Sequence, residues 1–189
     1  GFDLYIKMID EAVEELKYQE FKEIFNSLPK KEDKTEPTLD VYFEIGIPES
    51  YMPEQIDRLN FYTALYSIKN LDELGELKEE MEDRFGPVPS LVSRLLLSAE
   101  LRYHASYALF ERIILQGKLV TIILPKGVKQ DYYKFKFVEL MRFILDEYKN
   151  KVRFEQKNEV MKLLIKNDFD SPEKLLEFLV NFSSEVSKL

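Results

Sequence analysis

Residues 71–89 read LDELGELKEEMEDRFGPVP, and this stretch organises the rest of the chain. Apolar residues recur in it at steps of three and four, which predicts one face of an α-helix. Gly86 can adopt the left-handed conformation that ends a helix, and Pro87 cannot continue one. The stretch therefore predicts an amphipathic helix that stops at Gly86. Its apolar face consists of Leu71, Leu74, Leu77 or Lys78, Met81 and Phe85.

The other faces of this predicted helix are strongly acidic. They carry seven carboxylates and two basic groups, so the helix holds a net charge of −5 out of the formal −8 of the whole chain. An acidic helix face is most often only a solvated surface. No catalytic motif in the chain is as clear, which directs the search for function to a surface rather than a pocket. The seven acids are Asp72, Glu73, Glu76, Glu79, Glu80, Glu82 and Asp83.

The composition excludes several classes of protein. The chain has 189 residues, 45% of them hydrophobic and 33% charged, which is typical of one globular domain or a domain with an appendage. It has no cysteine and one histidine, His104, which excludes disulfides and Cys/His zinc sites and favours a packed histidine. The acidic balance argues against nonspecific DNA binding. No secretory signal or membrane-spanning run is present, so we predict a cytoplasmic protein without metal or cofactor.

The chain is predicted to have three parts. Gly1–Phe25 has the apolar period of a helix, and its Gly1 start indicates a fragment of a longer chain. Asn26–Thr38 is charged and contains two prolines, which predicts a flexible linker. The acidic box DEAV at residues 10–13 imitates a helicase motor, but its flanks keep helical period and no Gly-rich phosphate loop exists. We therefore predict no nucleotide hydrolysis and assign residues 39–189 to the domain proper.

Residues 39–189 predict an α+β fold, in which three central helices accompany a small mixed or antiparallel sheet. One strand, Leu39–Ile47, alternates apolar and polar residues, and two hairpins follow it in the second half. A helix over Pro53–Ile68 is predicted to bury Ile56, Leu59, Tyr62 and Tyr66. The remaining elements are a helix after Pro89, a hairpin over Glu111–Leu124, a helix over Tyr132–Tyr148, a hairpin over Lys151–Lys166 and a last helix capped by Ser171.

Three motifs resemble one family. They are IP..YMP at residues 47–53, RL.FY..L at residues 58–65, and E..DRFGPVP at residues 80–89. Together they resemble the C-terminal domain of the bacterial transcription-repair coupling factor (Mfd) family. The opening GFDLY, with EAV at residues 11–13, is similar to the helix that leaves the second motor lobe in that family. Specific motifs extend to Pro89, and beyond Leu101 the resemblance rests on element order.

The resemblance implies a non-catalytic regulatory domain. The parent would be an ATP-dependent translocase on double-stranded DNA that removes stalled RNA polymerase and recruits the excision-repair protein UvrA. In the family, this domain packs on the UvrA-binding module of the same chain and restrains the motor. The contact residues of that interface, carried over by position, fall on Glu80, Asp83 and Arg84. The fragment itself would need no cofactor, no membrane and no direct nucleic-acid contact.

Two other functions stay open at this point. Glu79 and Glu82 share one helical face and could form the paired carboxylates of a hydrolase, although such pairs are common by chance. Lys126–Lys136 contains basic residues interleaved with Tyr132 and Tyr133, as in single-strand nucleic-acid binding. Helical spacing favours core and rim positions for both tyrosines.

Overall fold

The computed structural model describes residues 34–127 and 129–189. The described chain divides into two compact units, one made of residues 46–92 and the other of residues 34–45 together with 93–189. The predicted helix Gly1–Phe25, with its acidic box, lies outside the described residues. Residues 26–33 of the predicted linker also lie outside them.

The last residues of the predicted linker are packed within the second unit. Thr35 is buried, its hydroxyl donates to the carbonyl of Phe110, and its backbone N–H donates to the carbonyl of Ser106 at 3.1 Å. Thr38 already belongs to a strand. A flexible linker therefore remains a prediction for residues 26–33 only.

The acidic helix of the first unit forms as predicted. Helix α1 spans Gln55–Tyr66 and helix α2 spans Leu71–Phe85. The side chain of Asn70 accepts the N–H of Glu73 at 3.0 Å, while the Glu73 carboxylate accepts the N–H of Lys69 at 2.8 Å. These two bonds satisfy amide donors that have no partner inside the helix. At the other end Gly86 has φ = 88°, the positive value that favours glycine, so α2 ends there.

The predicted buried face of α1 was wrong. Ile56 and Leu59 are 61% and 38% exposed, and the buried apolar residues of α1 are Phe61 and Leu65. The inward face also contains Arg58, which a hydrophobic pattern does not count. Arg58 turns inward because its guanidinium donates to the carbonyls of Met52 and Pro53 at 2.7 and 2.8 Å. These bonds replace the water that a half-buried charge loses.

Helix α3 spans Ser90–Tyr107 and continues from the first unit into the second. Only its first residue, Ser90, is exposed, because apolar residues occur on more than one side of this helix.

The second unit contains a five-stranded mixed sheet, built as predicted from one early strand and two hairpins. Strand β1 is parallel to β2, and the other neighbours are antiparallel, in the order β1-β2-β3-β5-β4. Asn158 and Glu159 have positive φ in the turn of the second hairpin, a conformation that asparagine adopts more readily than most residues. The strands are Thr38–Asp40 (β1), Arg112–Leu115 (β2), Leu119–Ile123 (β3), Val152–Lys157 (β4) and Val160–Lys166 (β5).

Strand β1 is shorter than the predicted Leu39–Ile47. Within the described part of the chain it pairs only with β2, and the pairing ends where Asp40 meets Ile114. The neighbouring strand then turns at Gln116, so later residues have no backbone partner on that side. Val41 and Phe43 nevertheless pack against the core of the second unit, which explains the alternating sequence. The alternation of apolar and polar residues indicates which side chains face inward, but it does not indicate which backbone groups are paired.

Two more helices cover this core. A π-helical turn over Tyr132–Lys136 leads into α4, Phe137–Glu147, and α5 spans Pro172–Ser187. Ser171 caps α5 as predicted, accepting the N–H of Lys174 at 3.2 Å. Four apolar residues that recur along α5 at helical spacing are all buried: Leu175, Leu179, Phe182 and Val186.

An ion pair joins α3 to the start of α5 within the second unit. The Nε of Arg94 lies 2.6 Å from the Glu173 carboxylate, and the two side chains are 22% and 28% exposed. The hydrogen bond from Arg94 is the largest cause that lowers the pKa of Glu173 below its usual value. A depressed pKa stabilises the fold above the unfolded-state value, near 4.3, and that contribution is lost as pH falls through the folded value.

We therefore expect Glu173→Gln to lower the free energy of unfolding by about 1–2 kcal/mol at pH 7. The difference from the wild type should shrink as pH falls below about 4, because the carboxyl of the unfolded chain binds a proton first and the folded carboxyl does so only at a lower pH. Urea titrations at several pH values measure both effects. Glu177→Gln is the matched control, since Glu177 is exposed on the same helix. A deficit that stays constant down to pH 2 would contradict this assignment.

Candidate functional site

The three residues carried over from the family motif lie together on the last turns of α2. Glu80, Asp83 and Arg84 are all exposed. Glu80 and Arg84 are one turn apart and pair at 3.5 Å, as their spacing predicts. The three residues therefore form one surface within the first unit.

Arg84 also makes contacts that the spacing does not predict. Its Nη2 lies 3.1 Å from Oδ1 of Asp57, a residue of α1. Its guanidinium carbon stands 4.9 Å from the centre of the Phe85 ring and 5.7 Å from that of Phe61. A cation over an aromatic face is attracted by the ring quadrupole. Arg84 is thus held by two carboxylates and two rings while 45% of its side chain stays exposed.

Asp83 differs from its neighbours. It is exposed, and within the described part of the chain it has no ion-pair partner. It also lies in the last turn of α2, where a carboxylate meets the negative end of the helix dipole. We call Asp57, Glu80, Asp83 and Arg84 the Arg84 patch. Its side chains carry three negative charges and one positive charge.

The end of α2 that carries the patch is fixed from the inside. The hydroxyl of Tyr51 donates to the carbonyl of Gly86 at 2.7 Å, and its ring stands 5.9 Å from that of Phe85. Phe85 in turn meets Phe61 edge-on at 6.3 Å. Met81, one turn earlier, is fully buried. The family motif residues around the patch therefore hold a rigid helix end.

Asp57 is the site residue that sequence reasoning missed. It lies 27 positions before Arg84 on a different helix, so no helical spacing connects the two. Its neighbour Ile56 was assigned to the core, but it is exposed and adds apolar surface next to Asp57. A pattern of charges alone could not find this pair, because the contact depends on how α1 packs on α2.

The carboxylate pair considered for a hydrolase does not form an acid–base site. Glu79 and Glu82 are both exposed on α2. Catalytic sites are concave and enclose the substrate, whereas this pair lies on an exposed helix face. A cavity of about 440 Å³ lies in the second unit and is lined by other residues, among them Tyr133, Gln156 and Met161.

The candidate nucleic-acid segment is also occupied by packing. Tyr132 is buried in the core of the second unit, and burial is the largest cause that raises its pKa. The hydroxyl of Tyr133 donates to the carbonyl of Pro125, and its ring meets that of Tyr132 edge-on at 5.0 Å. Tyr132 is therefore a core residue, and Tyr133 is half-buried and packed against it, as helical spacing predicted.

His104 is buried on α3, as expected for a packed histidine. Burial is the largest cause that lowers its pKa, and the charge of Lys188 lowers it further. Among the described residues, no group of three or more His, Cys, Asp or Glu side chains could hold a metal ion. None of the helices in residues 34–127 and 129–189 is long and apolar enough to cross a membrane.

The fold and the site define an α+β domain whose clearest candidate site is a charged, exposed helix end. A family model described as the TRCF domain matches residues 41–135, and this chain belongs to that family. The match contains all four residues of the Arg84 patch.

Proteins similar to this chain carry the description transcription-repair-coupling factor. The one from Bacillus subtilis (strain 168) is 30% identical over 140 residues, which are 74% of this chain and 11% of the relative. The one from Staphylococcus epidermidis (strain RP62A) is 34% identical over 133 residues, 69% of this chain and 10% of the relative. This chain therefore spans about a tenth of the length of these relatives.

A solved structure supports the fold independently. It is described as the crystal structure of the C-terminal domain of transcription-repair coupling factor. It matches with a TM-score of 0.70 and 22% identity, and it covers 82% of this chain and 94% of that chain. At this identity the likeness establishes the fold.

Proposed function

We propose that this chain is a non-catalytic regulatory domain of a longer transcription-coupled repair translocase. In this proposal it docks through the Arg84 patch on the UvrA-binding module of the same longer chain, and the docked state restrains the motor. The observation that carries the proposal is the pairing of Arg84 with Asp57 and Glu80 beside an exposed Asp83, which has no ion-pair partner among the described residues. Membership of the TRCF family supports the proposal that the longer chain is a transcription-coupled repair protein.

The charge of the patch determines the chemistry of its partner. Glu80 and Asp83 are one turn apart on an exposed face, and α2 as a whole carries −5. A surface that carries arginines fits these carboxylates, because a guanidinium can donate two parallel hydrogen bonds to one carboxylate. Opposite charges on the two surfaces also speed association, and they exclude partners that carry the same charge as the patch.

The contacts of Arg84 reduce the entropy lost on docking. A free arginine side chain on a surface loses considerable rotamer freedom when a partner immobilises it. Here Asp57, Glu80 and the Phe85 ring already restrict the side chain in the unbound domain. Ile56, exposed next to Asp57, supplies the apolar contact that charged residues alone lack.

Binding to the isolated UvrA-binding module of the parent tests this proposal. We expect a complex whose dissociation constant rises with ionic strength, as for a contact between charged surfaces. The double variant Glu80→Ala/Asp83→Ala should bind at least about tenfold more weakly, which corresponds to about 1.4 kcal/mol. Calorimetric titration at two salt concentrations measures both effects.

The control is the double variant Glu79→Ala/Glu82→Ala. It removes the same charge from exposed positions of the same helix, so it separates a specific contact from the general field of α2. We expect it to bind within about threefold of the wild type, the range for exposed charges outside a contact. Equal losses in both variants, or no complex with the module, would refute docking through the Arg84 patch.

A further inference from the structure

Helix α4 carries an apolar stripe that the core of the second unit does not cover. The inward side of α4 is made by Leu140 and Ile144, which are buried. Phe135, in the turn before α4, and Leu145, near its end, are 68% and 62% exposed. Val138 and Met141 lie between them and are 37% and 36% exposed. We call Phe135, Val138, Met141 and Leu145 the α4 stripe.

The stripe has an apolar residue at each end and opposite charges just beyond those ends. Phe135 and Leu145 stand five positions before and after Leu140, and Lys134 and Asp146 stand six positions before and after it. Near the middle, Glu139 and Arg142 carry opposite charges. A surface that presents complementary groups on either side of its own midpoint can contact a copy of itself related by a twofold axis.

We propose that the α4 stripe is a docking surface for a second copy of this chain, with the two α4 helices antiparallel. The antiparallel arrangement brings Phe135 of each copy to Leu145 of the other. It also places Glu139 against Arg142 of the opposite copy, and Lys134 near Asp146. Apolar contact supplies the attraction, and the two sets of charges determine the register.

The charges on α4 support the antiparallel direction. Glu139 and Arg142 already approach to 3.6 Å within one helix, and both are more than half exposed, so each can accept a second partner. Asp146 lies in the last turn of α4, where the helix dipole disfavours a carboxylate. In an antiparallel pair, that helix end lies beside the start of the other helix, whose dipole favours the carboxylate.

The size of the stripe limits the strength of the pair. Residues 135–145 span about 15 Å of helix, so one helix-to-helix contact buries less than the roughly 1,200 Å² of a typical stable complex. We therefore expect a reversible dimer with a dissociation constant on the order of 100 μM, visible only at high protein concentration.

Sedimentation equilibrium of the full 189-residue chain, from a few micromolar to about one millimolar, tests the proposal. The expected result is a monomer at low concentration that approaches the mass of a dimer at high concentration. Leu145→Glu should weaken the association at least tenfold. Leu59→Glu, a matched change at an exposed leucine of α1, should leave it unchanged.

Charge reversal tests the register. Glu139→Arg places two arginines against each other across the pair, and Arg142→Glu places two glutamates there, so each variant alone should associate at least tenfold more weakly. A mixture of the two variants should form a heterodimer at wild-type strength, because every contact is again between opposite charges. The double variant Glu139→Arg/Arg142→Glu should likewise recover self-association.

Three results would overturn the proposal. The first is a wild-type chain that stays monomeric at one millimolar, which would leave the stripe to another kind of partner. The second is a dimer that Leu145→Glu does not weaken, since its contact would lie on another face. The third is a mixture of the charge-reversed variants that associates no better than each alone. Circular dichroism of every variant checks that a loss of self-association does not come from a loss of fold.

Discussion

Phe182→Ala is expected to lower the free energy of unfolding by about 3–5 kcal/mol, the range for removing a buried phenylalanine from a core. Phe182 is fully buried on α5. Its ring centre lies 5.1 Å from that of Tyr148, 6.2 Å from that of Phe110 and 6.3 Å from that of Phe178. The substitution leaves a cavity among rings that come from three separate elements, so the walls cannot collapse by moving one side chain.

Urea unfolding of the whole chain measures this effect, and Phe135→Ala is its control. Phe135 undergoes the same chemical change, but most of its side chain is already in water. At a few micromolar, below any self-association, we expect the control to lose less than about 0.5 kcal/mol. A loss of under 1 kcal/mol for Phe182→Ala would mean that the aromatic cluster is not the centre of the core.

The elements that sequence predicted well are those whose signals are local. Gly86 ends α2 because it adopts a positive φ that other residues rarely adopt. Ser171 begins α5 because its side chain accepts a hydrogen bond from a backbone N–H of the first turn. Both signals act within one turn of the residue itself. The hairpins follow from the same kind of signal, with Asn158 in the second turn. The pairing of Glu80 with Arg84 was also predictable, since both residues lie on one helix.

The features that sequence missed depend on contacts between distant parts of the chain. Arg58 faces inward because two carbonyls of the preceding segment accept hydrogen bonds from its guanidinium. With Arg58 on the inner side, the apolar residue Ile56 lies on the outer side of the helix. Strand β1 ends early because β2, its neighbour in the sheet, turns away. Asp57 was missed as a site residue because it contacts a residue that is distant in sequence. Its pairing with Arg84 exists only after α1 has packed on α2.

These misses affect how a variant of the Arg84 patch should be chosen. Replacing Arg84 removes contacts with Asp57, Glu80 and the Phe85 ring within this chain, so it perturbs fold and docking together. Replacing Asp83 removes none of these contacts. Glu80 takes part only in an exposed pair, which contributes about 0–1 kcal/mol to stability. Glu80→Ala and Asp83→Ala therefore test docking with little effect on folding.

In the full-length parent, Glu80→Ala/Asp83→Ala should raise motor activity and UvrA binding together. The proposed docked state would cover the UvrA-binding module and restrain the motor, so a change that weakens it is expected to release both. Removing one side of a desolvated charge pair can cost about 2–5 kcal/mol, enough to shift a docked population by more than tenfold. ATP hydrolysis and UvrA affinity, measured on the same preparation, should rise in parallel, while Glu79→Ala/Glu82→Ala changes neither. An increase in one without the other would separate docking from restraint, and a wild-type response in both would remove the Arg84 patch from the interface.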